Sequence, residues 1–559
     1  MNASTTTAHT AHTATAADAA DAADASEQSL RVKRQVMWNR LVSVVEEGAQ
    51  VLLKTAFGAV TREAGDLSVG VYDRQGRMVA QAVTGTPGHV NTMAMAVGHF
   101  LERFPLDTLH SDDVLVTNDP WMGTGHLFDF VVVSPVFHRG RAVALIASTC
   151  HVIDIGGRGF TAEALSVYEE GLWVPHLKLF DAGRPNQTLL ALLERNVREP
   201  LQTRGDLMSL VSCNKAATQR LQSLMQEFEL PDLQALSDYI IETSARAMRQ
   251  AIAALPDGQW RHTMRIDGNG EPVDLVATLS ITGSQMCVDY AGSSAVSRSG
   301  INSPKCYTDA YSVFGIKCVI APDIPNNAGS LSAIEVRAEP GSIVDPQSPA
   351  PVTARHVIGQ MLPDLMFGCL QQPCGAQVSA EGAGSIWVLA MSGEGAGGSY
   401  QTMSLGIGGM GARPGKDGLS CTAFPSGVGS IPVEVTEASA PLLFQRREYL
   451  PGSGGDGQFR GGLGSQIDIV HRDGGSFRVS AATFDRRIFP ARGRYGGGDG
   501  QVGACRISDG TVILDKGVHE VPAGCSLLLQ LPGGGGYGDP AARAADDLAR
   551  DAAEGLHQG

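Results

Sequence analysis

The chain has 559 residues, with 43 Lys and Arg against 58 Asp and Glu, a formal net charge of −15. That length suggests roughly three or four compact units, and the acidic balance argues against a basic nucleic-acid-binding surface. Glycine makes up 68 residues, about 12% against an average near 7%; it has no Gly-X-Y period, which excludes collagen and points to turns and close backbone approaches.

Residues 2–28 are mostly Ala, Thr, Asp and His, with no Lys, Arg or large apolar residue. This composition predicts a disordered acidic tail over 1–28, with His9 and His12 solvated. It is not a secretory signal, because no basic region precedes an apolar core. No run approaches the roughly 18–20 apolar residues of a membrane span. The expectation is a cytoplasmic protein with no membrane or nucleic-acid partner.

From Leu30 to Val60, the apolar positions Val36, Leu41, Val44, Val45, Val51, Leu52 and Phe57 predict a long helix with a buried stripe. LSVGVYDRQGRMVAQA then reads as a hairpin turning at Asp73–Gly76. A helix-like stretch spans Thr92–Phe104. The segment 112–154 alternates strands with loops. Helices follow after Pro200 and Pro231, ending at Pro256-Asp257-Gly258.

A β-meander is expected near Trp260–Ile266, Val273–Ile281 and Met286–Tyr290. Further helices are expected over Ala310–Val319 and 354–371, the latter kinked at Pro363. From Ser385 to Leu529 the pattern is strand-rich, with glycine turns.

The predicted fold class is α+β, multi-domain, with a helical middle segment and a glycine-rich β-dominated C-terminal part. The predicted regions are 1–28 (tail), 29–199 (α/β, carrying the candidate site), 200–257 (helical), 258–384 (mixed β-meander and helix), 385–540 (glycine-rich β) and 541–559 (C-terminal helix or tail).

The ten cysteines are scattered, and the closest pair, Cys369 and Cys374, is not C-x-x-C. Reduced thiols are expected, rather than a disulfide framework or zinc ribbon. A G-x-x-x-x-G-K-[ST] loop is absent. Gly393–Gly398 matches G-x-G-x-x-G, but no helix follows it, so turn glycines account for it better than a dinucleotide site. Gly533–Gly536 read as turn glycines or a flexible lid. No G-x-S-x-G elbow is present. Cys150 and His151 are adjacent on a predicted strand and point to opposite faces, which argues against a Cys–His dyad.

The most specific constellation is Asn118-Asp119-Pro120-Trp121-Met122-Gly123-Thr124-Gly125-His126-Leu127-Phe128-Asp129. On a helical turn, His126 and Asp129 would share one face and reach one ion. His151 lies beyond the apolar run Val143–Ala147, followed by Asp154. Two histidines and one aspartate make a facial ligand set with open positions, suited to Zn, Mn or Fe(II). Asp154 is a candidate to orient His151. The alternative is that His126 caps a loop and His151 is a satisfied core histidine. Arg198, Arg355, Arg413 and Lys416 are candidate positive groups for a phosphate, or else ordinary ion-pair residues.

Several ordered motifs add a resemblance. They are NDP…GTGHLFD, His151-Val-Ile-Asp-Ile-Gly-Gly157, Glu169-Glu170-Gly-Leu-Trp-Val-Pro175, Asn196-Val-Arg198 with Gly205-Asp206-Leu207, and Asp323-Ile-Pro-Asn-Asn327 with Gly329. Later ones are Gly411–Gly418, Pro432-Val-Glu434 with Glu437, Gly461-Gly-Leu-Gly464 and Pro532–Pro540. From about Gln35 to Pro540 the chain resembles the hydantoinase B family. That group includes the B components of ATP-dependent hydantoinases, the C-terminal half of 5-oxoprolinase, caprolactamase, and acetone and acetophenone carboxylase subunits.

The resemblance implies a divalent metal (Zn, Mn or Fe) on His126, Asp129 and His151. It places the family's early carboxylate on Asp66, as general base or further ligand; a strand-start turn residue is the alternative. Asp119, Asp154, Arg198 and Arg413 are candidate supporting or substrate-contacting residues. The resemblance also implies an A-type actin-like ATPase partner that binds ATP and phosphorylates a cyclic amide or ketone. The expected activity is cyclic-amide hydrolysis; the alternatives are a ketone carboxylase subunit or a non-catalytic scaffold. Where many hydantoin-type members read G-G-T-H-L-P-D, this chain reads Gly123-Thr-Gly-His-Leu-Phe-Asp129, a departure that bears on the substrate rather than the metal.

Overall fold

In the computed structural model, residues 16–556 are described. The first helix, α1 (Ala16–Thr55), begins well before the expected Leu30. Over 16–28 the Ala-rich AAD repeat continues the helix, since Ala favours it; the rest of the expected tail lies outside the described residues. Leu41, Val44, Val45 and Leu52 are buried, whereas Val36 and Phe57 fall off the stripe and are exposed.

Strands β1 (Leu67–Tyr72), β2 (Met78–Gln81), β3 (Val114–Thr117), β4 (Asp129–His138), β5 (Arg141–His151), β6 (Leu177–Asp181) and β7 (Arg184–Pro185) form one antiparallel sheet. Its order is β2-β1-β5-β4-β3-β6-β7. Both faces are covered. Val69, Val71, Val132 and Ile146 pack with α1 and with α3 (Pro200–Glu227). Tyr72, Leu115, Val131, Val133 and Leu145 pack against α2 (Pro87–Arg103) on the other side. Two buried faces explain why the strands read as unbroken apolar runs rather than alternating ones.

The first core continues through α3 into α4 (Gln234–Ala253), taking in Leu207, Leu210, Leu236 and Ile240. The boundary expected at 199/200 therefore falls inside one packed unit, because the helices cover the sheet instead of forming a separate segment.

Strands β8 (Gly258–Asn269), β9 (Glu271–Thr282) and β10 (Gln285–Asp289) form the expected meander, joined in parallel by β11 (Ile334–Arg337). Helices α5 (Lys305–Ile320) and α6 (Leu362–Leu370) pack on this second sheet. Pro363 sits in the first turn of α6, where its missing N–H costs nothing, so it starts a helix rather than kinking one.

The C-terminal strands are β12 (Trp387–Gly395), β13 (Gly398–Gly406), β14 (Leu442–Tyr449), β15 (Ser465–His471), β16 (Phe477–Ser480), β17 (Ala504–Ile507), β18 (Val518–Val521) and β19 (Ser526–Gln530). They make two four-stranded sheets, β13-β12-β16-β18 and β14-β15-β19-β17. The two sheets share one core around Trp387, Leu389, Ile467, Phe477 and Leu529. Gly395 and Gly398 pair across the tight β12–β13 turn, which accounts for the G-x-G-x-x-G match.

Many of the remaining glycines here do not make turns. The segment 533–536 is fully buried among extended glycine-rich segments, neither a turn nor a lid. Gly534 donates to the Gly462 carbonyl at 2.9 Å and accepts from Gly455 at 2.9 Å. Gly535 donates to Glu381 (2.8 Å), and Gly536 to Gly498 (2.9 Å). A Cβ on Gly461 would meet the Gly534 carbonyl, and one on Gly534 would meet that of Met410. Only glycine lets backbones lie this close, as at a collagen axis. Among the described residues, no helix is long and apolar enough to cross a membrane.

Candidate metal centre

Sheet order builds the site. Strands β1, β5 and β4 are neighbours, and the start of β1, the end of β5 and the start of β4 lie at one edge. Asp129 is the register partner of His151, and Leu67 that of Cys150. The His151 N–H donates to the Asp66 carbonyl at 3.3 Å. Three residues far apart in sequence thus meet at one end of the sheet. Cys150 is buried on the helix side, and burial pushes its thiol well up, so no Cys–His dyad forms.

His126 arrives from the loop before β4 and not from a helical turn. Gly125 has φ of 99°, and a Cβ there would run into the Arg355 side chain. Asn118 pins the loop: its Nδ2 donates to Leu127 O (2.8 Å) and Leu172 O (3.0 Å), and its Oδ1 accepts from Val174 N (2.7 Å). Asp119 accepts from the backbone N–H groups of Trp121 and Met122 and from Trp173 Nε1 at 3.0 Å. Its role is to shape the loop. Asp154 accepts from Gly156 and pairs with Arg198 at 2.5 Å. That pair closes the Gly156–Gly157 turn, so Asp154 does not orient His151. Arg413 bonds the Asp417 carbonyl at 2.9 Å in a C-terminal loop and is not among the residues lining the site.

One ligand atom from each of His126, Asp129 and His151 lies within 4.8 Å of the others, and all three residues are buried. The Asp129 carboxylate is divided between two tasks. Its Oδ2 accepts from His89 Nε2 at 2.9 Å and Arg355 Nη2 at 2.5 Å. Its Oδ1 faces His126 Nε2 at 3.0 Å and His151 Nδ1 at 3.2 Å. Burial opposes its ionisation, but His126, His89 and Arg355 hold the carboxyl well below the usual range.

His126 shows what this arrangement requires. Its Nδ1 donates to the Thr353 carbonyl at 2.8 Å, so that nitrogen carries the proton. Burial, with the Arg355 guanidinium, lowers the ring to about 3, so it stays neutral. Its Nε2 is then a lone pair with no hydrogen-bond partner, pointed at a carboxylate oxygen. Two buried lone pairs 3.0 Å apart repel unless they share a proton or bind one cation together. The donor set, two imidazoles and one carboxylate, fits a divalent transition ion.

Two further residues hold this site, of which sequence reasoning missed His89 altogether. His89, in the first turns of α2, bridges Asp129 and Asp66, the latter at 3.5 Å from its Nδ1. Burial works against its charge, but the two carboxylates raise its pKa on balance. Arg355 was legible only as one of several positive groups. It lies over the Tyr307 ring at 4.1 Å and donates to Thr124 O at 2.8 Å. Glu170 anchors its segment by accepting from Val352 N (2.6 Å) and Thr353 N (2.8 Å).

The site opens into a pocket lined by Asp66, His89, His126, His151, Tyr307 and Arg355, among others, on its polar side.

The sequence matches the family described as Hydantoinase B/oxoprolinase over residues 31–540. It is 28% identical over 550 residues to the B component of a putative D-/L-hydantoinase from a Pseudomonas species (strain NS671), covering 93% of this chain and 92% of that one. The fold is that of an ATP-dependent caprolactamase crystal structure from Pseudomonas jessenii, with TM-score 0.87, 24% identity and 94% of each chain covered. A nucleotide-free acetone carboxylase structure aligns with TM-score 0.82 at 18% identity, over 95% of this chain and 79% of that one.

Proposed function

The chain belongs to the hydantoinase B/oxoprolinase family, and from that premise we propose that it is the metal-bearing catalytic subunit of an ATP-dependent cyclic-amide hydrolase. A second subunit, of actin-like ATPase type, would bind ATP and phosphorylate the ring amide oxygen. The observation that carries the reading is the neutral His126 imidazole, whose unpartnered Nε2 faces Asp129 beside His151. A Zn, Mn or Fe ion held there supplies Lewis acidity toward an oxygen of the substrate or of water.

The protein's own groups divide the remaining work. Asp66 lines the pocket and is partly exposed, so it is the candidate base that takes the proton of the attacking water. His89 hydrogen-bonds Asp129 and places its other ring nitrogen 3.5 Å from Asp66. Arg355 holds Asp129 Oδ2, which leaves Oδ1 turned toward the histidines. An unstrained amide carbonyl is a poor electrophile, which is why activation by phosphorylation suits this chemistry. Hydrolysis is favoured over ketone carboxylation by the hydantoinase relative, which aligns over 92% of its own length.

The test combines metal analysis with reconstitution. Purified protein is expected to hold one Zn, Mn or Fe, and Asp129→Asn and His151→Ala are each expected to lose it together with at least about a hundredfold of activity. Activity is measured with the ATPase partner, ATP and a panel of hydantoins, lactams and aryl ketones. Bicarbonate-dependent turnover would transfer the protein to the carboxylases. Metal-free protein with unchanged activity in His151→Ala would leave a scaffold.

A further inference from the structure

Strand β1 begins at Leu67, which pairs with Cys150, so at His151 one flank of β5 has run out of sheet. Asp129 of β4 is the neighbour on the other flank. The open flank is filled by the residues just before β1, the short helix Ala59–Arg62 and the turn to Asp66. Thr61 Oγ1 donates to the His151 carbonyl at 3.1 Å, and the His151 N–H donates to the Asp66 carbonyl at 3.3 Å. Within this stretch the Gly65 N–H donates to Thr61 O (3.1 Å) and the Asp66 N–H to Val60 O (3.2 Å), which ties the turn to the helix. Both backbone groups of a candidate metal ligand therefore rest on residues 59–66, which also bring Val60 and Asp66 to the pocket.

The stretch is held at its start by Asp206, from the motif Gly205-Asp206-Leu207. Asp206 is fully buried in α3. Its Oδ1 accepts from the backbone N–H groups of Phe57 (2.7 Å) and Gly58 (3.0 Å), the two residues that lead into the short helix. Ser209, one turn further along α3, donates to the Thr55 carbonyl at 2.7 Å. Asp206 Oδ2 has no hydrogen-bond partner and lies 2.7 Å from where a Cβ on Gly58 would stand, so carboxyl and glycine fit against each other. Removing the carboxyl would leave the buried Gly58 N–H without an acceptor and release the start of the stretch.

We propose that Asp206 is a positioning residue of the metal centre: it anchors residues 57–66 and, through them, sets the place of His151 and Asp66. The inference rests on reading His126, Asp129 and His151 as a metal centre. Such a constellation works only when its groups are held within about 0.5 Å of the productive geometry, so an anchor behind a ligand governs affinity without touching the ion. Asn214 supplies the contrast. It is equally buried on the same helix, and its Nδ2 donates to Val132 O at 3.0 Å, within β4. It ties α3 to the sheet without a bond to residues 57–66.

The test is the affinity of the full chain for Zn(II), measured by competition with a chromophoric chelator at a temperature where the variants are folded; it needs no turnover. Asp206→Ala is expected to bind Zn(II) about 10–100-fold more weakly than the parent. Asp206→Asn keeps an oxygen acceptor for both N–H groups and is expected to bind as the parent does. Asn214→Ala is expected to lower the unfolding midpoint and leave the Zn(II) affinity at the parent value, which separates positioning from a general loss of stability. Where Asp206→Ala does not fold, Gly58→Ala takes its place: its Cβ would meet Asp206 Oδ2, and it is expected to weaken Zn(II) binding in the same direction. Unchanged affinity in the variant so used, an equal loss in Asn214→Ala, or Asp206→Asn as weak as Asp206→Ala overturns the proposal. The two readings fail separately. Weakened Zn(II) binding in Asp206→Ala with no amide hydrolysis by the parent removes the hydrolase and keeps the role of Asp206. Hydrolysis by the parent with unchanged Zn(II) affinity in Asp206→Ala does the reverse. A parent chain that binds no Zn(II) removes the metal centre and this role together.

Discussion

Glu170 shows how one side chain links the site to the stability of the fold. It accepts from Val352 and Thr353, and the Thr353 carbonyl in turn accepts from His126. Burial pushes Glu170 up to about 7, with the two backbone donors only partly offsetting it. The unfolded residue titrates near 4.3. Between these values the unfolded chain releases a proton that the native chain keeps, so stability falls as pH rises and levels off above about pH 7. The cost is on the order of 3 kcal/mol. Glu170→Gln mimics the protonated acid and keeps the acceptor for both N–H groups. Urea unfolding is expected to show little change at pH 4.5 and a gain approaching that figure at pH 8; equal pH slopes in both proteins would refute it. The three residues of the candidate centre were legible as a group, because His126, Asp129 and His151 sit in short motifs. Their supports were not: His89 lies 40 residues from Asp129 and Arg355 lies 226 away, and only the fold brings them together.

Among the elements, the buried strands and long helices were readable because their apolar runs match what a doubly covered sheet needs. The segment 533–536 was misread as turn glycines or a lid, since composition alone does not distinguish a turn from a close backbone approach. Two substitutions separate these roles. Gly98, inside α2, has ordinary helical backbone and open space where a Cβ would go, so Gly98→Ala is expected to stabilise by about 0.5–1 kcal/mol. Gly534 lies where a Cβ meets the backbone of Met410 and Gly411. Backbone cannot move aside as a side chain can, so Gly534→Ala is expected to cost several kcal/mol or abolish soluble expression. Thermal unfolding of the pair decides it, and a Gly534→Ala protein as stable as the parent would remove the close packing of the glycine segments from the account of the fold.

On the scale of the whole molecule, the pocket belongs to no single unit. Asp66, His89, His126 and His151 come from the first sheet and its helix, Tyr307 and Arg355 from the second region, and Met403 and Leu405 from the C-terminal sandwich. Ile386, Val388, Met403 and Leu405 lie in the first sheet's core, and Ala482 lies in the core of the second region. Such shared cores couple the units, so unfolding any one of them dismantles the pocket. A metal bound at His126, Asp129 and His151 has no site in the unfolded chain, and its binding free energy becomes folding free energy. At a free metal concentration a hundredfold above Kd, that is about 2.7 kcal/mol. Chelation is therefore expected to lower the midpoint of one cooperative calorimetric transition, carrying all the units down together, with the shift absent in Asp129→Asn. A second transition that stays in place under chelation would mean that the sandwich folds independently and only leans against the site. An unshifted single transition would mean that the histidines are satisfied without an ion, which the lone pair of His126 Nε2 facing Asp129 argues against.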